Sequence, residues 1–162
     1  MEEVISHQLG MAMALCSLGA ETISEHKALL AKCLDAGELI KAIRMFEDHA
    51  KRSEEIAEAE GLTVKAQEAC ETAGETFRLM RTDFFAAMGK DITHILAWMA
   101  MSSASGIAIW STLEGAADST GNLELENLAN EALGFQKDLL EKSEKALHDL
   151  ARASRLSGAV PF

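Results

Sequence analysis

A run of 22 residues without a formal charge, residues 92–113, limits what this chain can fold into more than any other feature. Asp91 and Glu114 bound the run, in a sequence in which 25% of the residues are charged. A helix on the surface of a soluble protein carries charges on its outer face. A helix this free of charge is therefore expected either to be buried by other helices or to span a membrane.

Burial is the better interpretation of this run. The run contains serine, glycine and histidine, which lower its hydrophobicity, and Lys90 is the only basic residue next to it. Membrane spans are usually more apolar, and clusters of Lys and Arg flank them on the cytoplasmic side. Other long helical patterns in the sequence are available to cover the run. We therefore expect a soluble protein with 92–113 as its central helix and no membrane partner.

The composition favours a single all-α domain over residues 1–162. The chain has one proline and no tyrosine, and it contains many Ala, Leu, Glu and Lys residues, which favour helices. A chain of this length can bury about 70% of its unfolded surface without disulfides or metal ions. The net charge of −11 argues against nucleic acid and anionic lipid as partners, because both attract proteins with an excess of Lys and Arg.

The cysteines and the first residues predict a cytoplasmic protein. The three cysteines, Cys16, Cys33 and Cys70, are odd in number and lack the spacing of a metal site. The sequence starts with Met-Glu-Glu, whereas a secretory signal starts with basic and then apolar residues. Both features indicate a reducing compartment. Cys16 and Cys33 fall on the apolar stripe of the first helix, which favours inert core residues over nucleophiles.

Apolar residues at alternating steps of three and four predict four long helices. These helices are expected over residues 2–36, 38–60, from Asp91 onward, and 123–156. Residues 62–90 are the expected connection, read as two short helices that Gly74 separates. The pattern predicts a four-helix bundle with a helical crossover between helices two and three.

A metal site in such a bundle requires carboxylates and histidines from facing helices, and the candidates here are Glu25, Glu47, His49 and His94. Glu47 and His49 point about 200° apart around their helix, so they cannot share one ion. His94 has a suitable spacing to Asp91, but an Asp at the start of a helix is more simply a capping residue. The third helix carries no acid in its central turns.

Several short segments resemble the YciE/YciF-type bacterial ferritin-like proteins, which are small stress-associated helical bundles. The similar segments are residues 4–9, the Phe-Glu-Asp-His of 46–49, the Cys-containing segment 70–74, the Ile-Ala-Ile-Trp-Ser-Thr-Leu of 107–113, and residues 135–150. The resemblance implies a ferritin-like four-helix bundle, a stress-related context and a di-metal site in the bundle core.

This chain departs from the family at most of the metal-ligand positions. The family's Glu-His-Tyr-Glu segment corresponds here to residues 103–106, which are Ser103, Ala104, Ser105 and Gly106. The family's acid after the second-helix histidine corresponds to Arg52. Its acidic cluster in the last helix corresponds to Gly134 and Phe135. In the first helix, the ligand position corresponds either to Cys16 or to Glu25, depending on how the segments are aligned.

The sequence therefore predicts a non-catalytic bundle whose di-metal site is lost. We expect no catalytic residues, no cofactor-binding residues and no cofactor. The protein is expected to form a homo-oligomer in the cytoplasm and to have a binding or assembly role. A different protein is a further possible partner. Arg52 is expected to pair with Glu25 or with another inward-facing acid. The alternative is a redox protein that binds iron or another divalent metal through an incomplete site around Glu25, Glu47, His49 or His94.

Overall fold

The computed structural model describes residues 1–156, which form five helices and contain no strand. The helices are α1 (Glu2–Leu30), α2 (Ala36–Ala59), α3 (Thr63–Met88), α4 (Ile92–Thr120) and α5 (Leu123–Leu156). The predicted all-α fold class is confirmed. The first helix is shorter than predicted, because the chain turns at residues 31–35 before α2 begins.

Short polar side chains start three of these helices. The carboxylate of Asp35 accepts a hydrogen bond from the backbone N–H of Glu38 at 3.0 Å, and Asp91 accepts one from His94 at 3.0 Å. Asn122 accepts one from the N–H of Leu125, also at 3.0 Å. Each of these bonds satisfies a backbone donor that the first turn leaves without a partner. The predicted capping role of Asp91 is confirmed.

The core lies between α1, α2, α4 and α5. α1 packs against α2, α3 and α4, and α4 packs along α5, whereas α2 and α5 touch over a much shorter length. Most residues of the predicted apolar stripes face this core. Examples that are fully buried are Leu9, Cys16, Leu125, Ala129 and Ala132.

α3 is one continuous helix and not two short pieces, so the predicted interruption at Gly74 is wrong. Successive contacts show that α3 runs parallel to α1: Gly10 lies against Ala66, and Arg81 donates a hydrogen bond to Thr22 at 3.1 Å. Gly74 is buried on this side, where a Cβ added to it would lie 3.9 Å from the Cβ of Ala14 on α1, an ordinary contact distance. Packing against α1 therefore offsets the low helix propensity of a single glycine.

α4 is only partly buried, which corrects the expectation of a central helix. It is long and apolar enough to cross a membrane by length and composition, but only 39% of its most apolar stretch is buried within the molecule. Its outer face, which no described helix covers, carries exposed uncharged residues. They are Met101, Ala104, Ser105, Ala108, Ser111 and Thr112.

Candidate functional site

A groove of about 500 Å³ lies between the first half of α2 and the middle of α5. Its floor is apolar and includes Leu39, Ala42, Phe135 and Leu139. These residues recur at steps of three and four, so each helix presents one stripe to the groove. Gly134 lines this groove, and no atom lies within 4 Å of the position where its side chain would begin.

An ion pair joins the two helices at the end of the groove nearest the start of α2. The Nζ of Lys142 lies 2.5 Å from Oε2 of Glu38 on α2 and 2.8 Å from Oδ2 of Asp138 on its own helix. The hydrogen bonds to Asp138 and then to Glu38 raise the pKa of Lys142 above its ordinary value. These groups are partly exposed, so the ion pair contributes little to the stability of the fold.

A second ion pair joins α2 and α5 at the opposite end of the groove, further along α2. The Nη1 of Arg52 lies 2.8 Å from Oε2 of Glu131 on α5 and 3.3 Å from Oδ2 of Asp48, one turn back on α2. The hydrogen bond to Glu131 is the main reason that the pKa of Arg52 is raised. The expected pairing of Arg52 with Glu25 or another inward-facing acid is therefore wrong, because its partners Glu131 and Asp48 are both exposed.

His49 lies behind this ion pair and is completely buried. Its ring packs edge-on against Trp110, with 5.9 Å between centroids, and against Phe135, with 5.5 Å. Its Nε2 lies 3.8 Å from Oε1 of Glu131, which is too long for a hydrogen bond. Burial lowers the pKa of His49, and the nearby Glu131 only partly opposes this effect. The imidazole is therefore neutral at pH 7.

Further buried polar groups continue the layer of His49 through the core. Ser103 and Trp110 on α4 and Gln136 on α5 each have a buried side-chain N or O atom without a hydrogen-bond partner. Buried polar groups are nearly always paired, so this layer is unusual. Gly106 makes room for Gln136, since a side chain on Gly106 would start 2.6 Å from the amide carbon of Gln136.

The four predicted metal-ligand candidates do not come together. Glu25 is exposed and lies 3.6 Å from the Nη2 of Arg81 on α3. Glu47 is exposed on α2, and Nδ1 of His94 lies 3.0 Å from Oδ2 of Asp91. Within the described residues, no two of the four candidates form an ion pair with each other. Only His49 belongs to the site between α2 and α5.

The sequence interpretation missed Asp48 and Glu131, the two carboxylates nearest to His49. Asp48 could have been found, since it precedes Arg52 by four residues and such pairs are neighbours on a helix. Glu131 precedes Phe135 by four residues and shares its side of α5, but its approach to His49 depends on how α5 is placed along α2.

Comparison of the chain with family models, with characterised proteins and with solved structures finds no match. The resemblance to the YciE/YciF-type proteins therefore stays a prediction.

Proposed function

We propose that this protein is a non-catalytic, ferritin-like four-helix bundle that binds an apolar guest in the groove between α2 and α5. The observation that carries the proposal is the groove itself, with a volume of about 500 Å³ and a largely apolar floor. Sites for small molecules commonly have volumes of roughly 300–1,000 Å³, and in bundles they occur between helices. A bacterial and stress-related setting rests on the resemblance alone, whereas a cytoplasmic one rests on the cysteine content.

The surroundings of the reactive side chains support a non-catalytic role. Burial raises the pKa of the Cys16 thiol to about 12, and it also raises the pKa of Cys33 and Cys70. These thiols are therefore protonated at pH 7, and a protonated thiol is a poor nucleophile. A dinuclear metal centre would need about four carboxylates and two histidines, whereas His49 is near two carboxylates and a guanidinium.

The charges around the groove indicate the kind of guest. Four acidic side chains and two lysines line it. They are Asp35, Glu38, Glu131 and Asp138, together with Lys41 and Lys142. Because the acids outnumber the lysines, a guest with a neutral or cationic polar end would be favoured over an anionic one. We therefore propose a small amphipathic molecule whose apolar part lies on the floor.

A fluorescent titration with the neutral apolar probe N-phenyl-1-naphthylamine tests the groove. Gly134→Trp adds an indole at the groove, and its Cβ would meet no atom within 4 Å. We expect this variant to bind the probe at least about tenfold more weakly than the unmodified protein, as the apolar floor is then covered. Ala87→Trp is the matched control, since Ala87 is exposed on α3, outside the groove. Equal binding by all three proteins would contradict the proposal.

The outer face of α4 supports a second proposal, that two copies of the chain associate through it. Two copies with a net charge of −11 each repel one another, so they approach most easily through a surface without charge. Exposed residues such as Ala104 and Ala108 are small and would allow close contact between two α4 helices. Sedimentation equilibrium should give a dimer for the unmodified protein and a monomer for Ala104→Glu. Ala151→Glu on α5 is the control, and a monomeric unmodified protein would refute the proposal.

A further inference from the structure

Three side chains, two from α2 and one from α5, converge at the end of the groove where Arg52 pairs with Glu131. One nitrogen of His49, one oxygen of Asp48 and one oxygen of Glu131 all lie within 4.8 Å of one another. Imidazole and carboxylate are the ligands that Zn²⁺ and Co²⁺ commonly take in proteins. This place differs from the four positions that the sequence suggested, since only His49 is common to both.

His49 shows that this convergence is more than a chance cluster of surface acids. Its side chain is completely buried, neither of its ring nitrogens has a hydrogen-bond partner, and Nε2 points toward Glu131. The aromatic rings of Trp110 and Phe135 hold the imidazole in this orientation. A fixed, neutral imidazole offers a lone pair that needs no proton to be removed before a metal ion binds.

We propose that Asp48, His49 and Glu131 bind one divalent transition-metal ion of the Zn²⁺ or Co²⁺ class, in competition with Arg52. The site is mononuclear and does not involve the guest of the groove, although Glu131 also lines the groove. The bound ion would link α2 to α5.

The charges explain why Arg52 is the competitor. The carboxylates of Asp48 and Glu131 carry two negative charges, and the guanidinium neutralises one of them. If Arg52 turns outward, the two carboxylates match the charge of a divalent ion. The side chain of Arg52 is 30% exposed, so solvent is within its reach. Metal–ligand distances of about 2.0–2.2 Å require the ligand atoms to move closer together, which the two exposed carboxylates can do by rotating.

A Co²⁺ titration followed by visible absorption tests the site on the full-length protein. We expect one Co²⁺ per chain, with the absorption bands of a nitrogen- and oxygen-ligated ion, and displacement of the ion by Zn²⁺. Arg52→Met should strengthen binding at least about tenfold, because it removes the competing charge and keeps the aliphatic stem. His49→Gln should weaken binding at least about tenfold, because it removes the one nitrogen ligand.

Matched controls separate this site from general attraction of cations to an acidic protein. Lys51→Met removes the same charge at the neighbouring residue, and Glu47→Gln removes an exposed acid of the same helix. Both should leave the affinity for Co²⁺ within about twofold of the unmodified protein. Where His49→Gln fails to unfold cooperatively, Glu131→Gln takes its place, since Glu131 is exposed and its loss should also weaken binding.

Three results would overturn the proposal. The first is an affinity that His49→Gln or Glu131→Gln leaves unchanged, which would mean that Co²⁺ binds to scattered surface carboxylates. The second is an equal effect of Arg52→Met and Lys51→Met, which would mean that Arg52 does not compete for the site. The third is the absence of a Co²⁺ spectrum in both the unmodified protein and Arg52→Met.

Discussion

The contact between α1 and α3 and the contact between α2 and α5 are built in opposite ways. α1 and α3 touch through their backbones, because a side chain on Gly10 would start 2.4 Å from the carbonyl oxygen of Ala66. α2 and α5 are separated by the groove, and ion pairs join them at its two ends through Lys142 and Arg52. At Gly10 the first contact has no room even for a Cβ, although a pocket of about 340 Å³ lies beside it between the starts of α1 and α3. The second contact contains an apolar groove of about 500 Å³.

This difference suggests how stability and binding are divided within the molecule. A close-packed contact tolerates little change in side-chain volume, so it fixes the relative position of its helices. A groove with unpartnered polar atoms behind it contributes less to stability but can accept a ligand. His49 on α2 and Gln136 on α5 carry such unpartnered atoms in the core. The predictions that follow test this division, beginning with the largest effect.

The largest effect is expected from Ser103→Glu, which tests whether the polar layer behind the groove is dry. Ser103 is 1% exposed and its hydroxyl has no partner, so a carboxylate there would be buried without a counter-ion. We expect the variant to lose about 4 kcal/mol of unfolding free energy at pH 7, by urea denaturation. The loss should shrink as the pH falls toward about 4, because the introduced acid is then neutral in both the folded and the unfolded states.

Ser24→Glu is the control for this substitution, since Ser24 is exposed on α1, away from the outer face of α4. Its effect should stay within about 0.5 kcal/mol. A loss of less than about 1 kcal/mol for Ser103→Glu would mean that the layer is open to water, and the contrast between the two contacts would then be weaker.

Gly10→Val should have the next largest effect, because it forces α1 and α3 apart. Its Cβ would lie 2.4 Å from the oxygen of Ala66 and 2.7 Å from the nitrogen of Cys70, and backbone atoms cannot turn aside. We expect a loss of about 3 kcal/mol in the free energy of unfolding. Gly134→Val, at a helical glycine with nothing within 4 Å, should cost less than about 1 kcal/mol. Similar losses in the two variants would show that helix propensity, and not the close contact, decides the result.

The part of this architecture that could be predicted is the part that depends on one helix at a time. Residues such as Leu9, Cys16 and Leu125 are buried as their spacing indicates, and Asp91 caps α4 as its position indicates. Each of these features follows from the periodicity of a helix or from its unpaired first N–H groups.

The features that the sequence did not predict depend on how separate helices meet. Gly74 looked like an interruption, because nothing in the sequence shows that α1 lies against it. The uncharged run looked buried all round, because its pattern does not show that one side of α4 has no covering helix. Glu131 approaches His49 only because α5 is placed at one particular height along α2. These relations are set by packing over long sequence separations, which local spacing does not record.

A smaller, pH-dependent effect is expected from His26 beside α3. Its ring packs edge-on against Phe85 with 5.7 Å between centroids. Burial lowers its pKa; Glu25 opposes this shift, whereas Lys90 and Arg81 add to it. The unfolded chain therefore takes up a proton at a higher pH than the folded protein does, so stability is lost as the pH falls below about 6.5.

His26→Leu should lose less stability between pH 7 and pH 5 in urea titrations. His7→Leu, at an exposed position, should follow the unmodified protein, and a curve for His26→Leu that does the same would refute the assignment.

The smallest effect, from one methyl group added to each contact, makes the sharpest comparison because the two signs should differ. Replacing glycine by alanine within a helix gains roughly 0.5–1 kcal/mol when space is available, since the unfolded chain then has less conformational freedom. Gly134 has this space in the groove, so Gly134→Ala should raise the unfolding free energy by about 0.5 kcal/mol. Gly10 does not, because the added Cβ would lie 2.6 Å from that of Ala69, and Gly10→Ala should lower the stability by about 1–2 kcal/mol. Thermal unfolding of both variants measures the two shifts directly. If Gly10→Ala were as stable as Gly134→Ala, α1 and α3 would have room to separate, and the division between a closed contact and an open one would not hold.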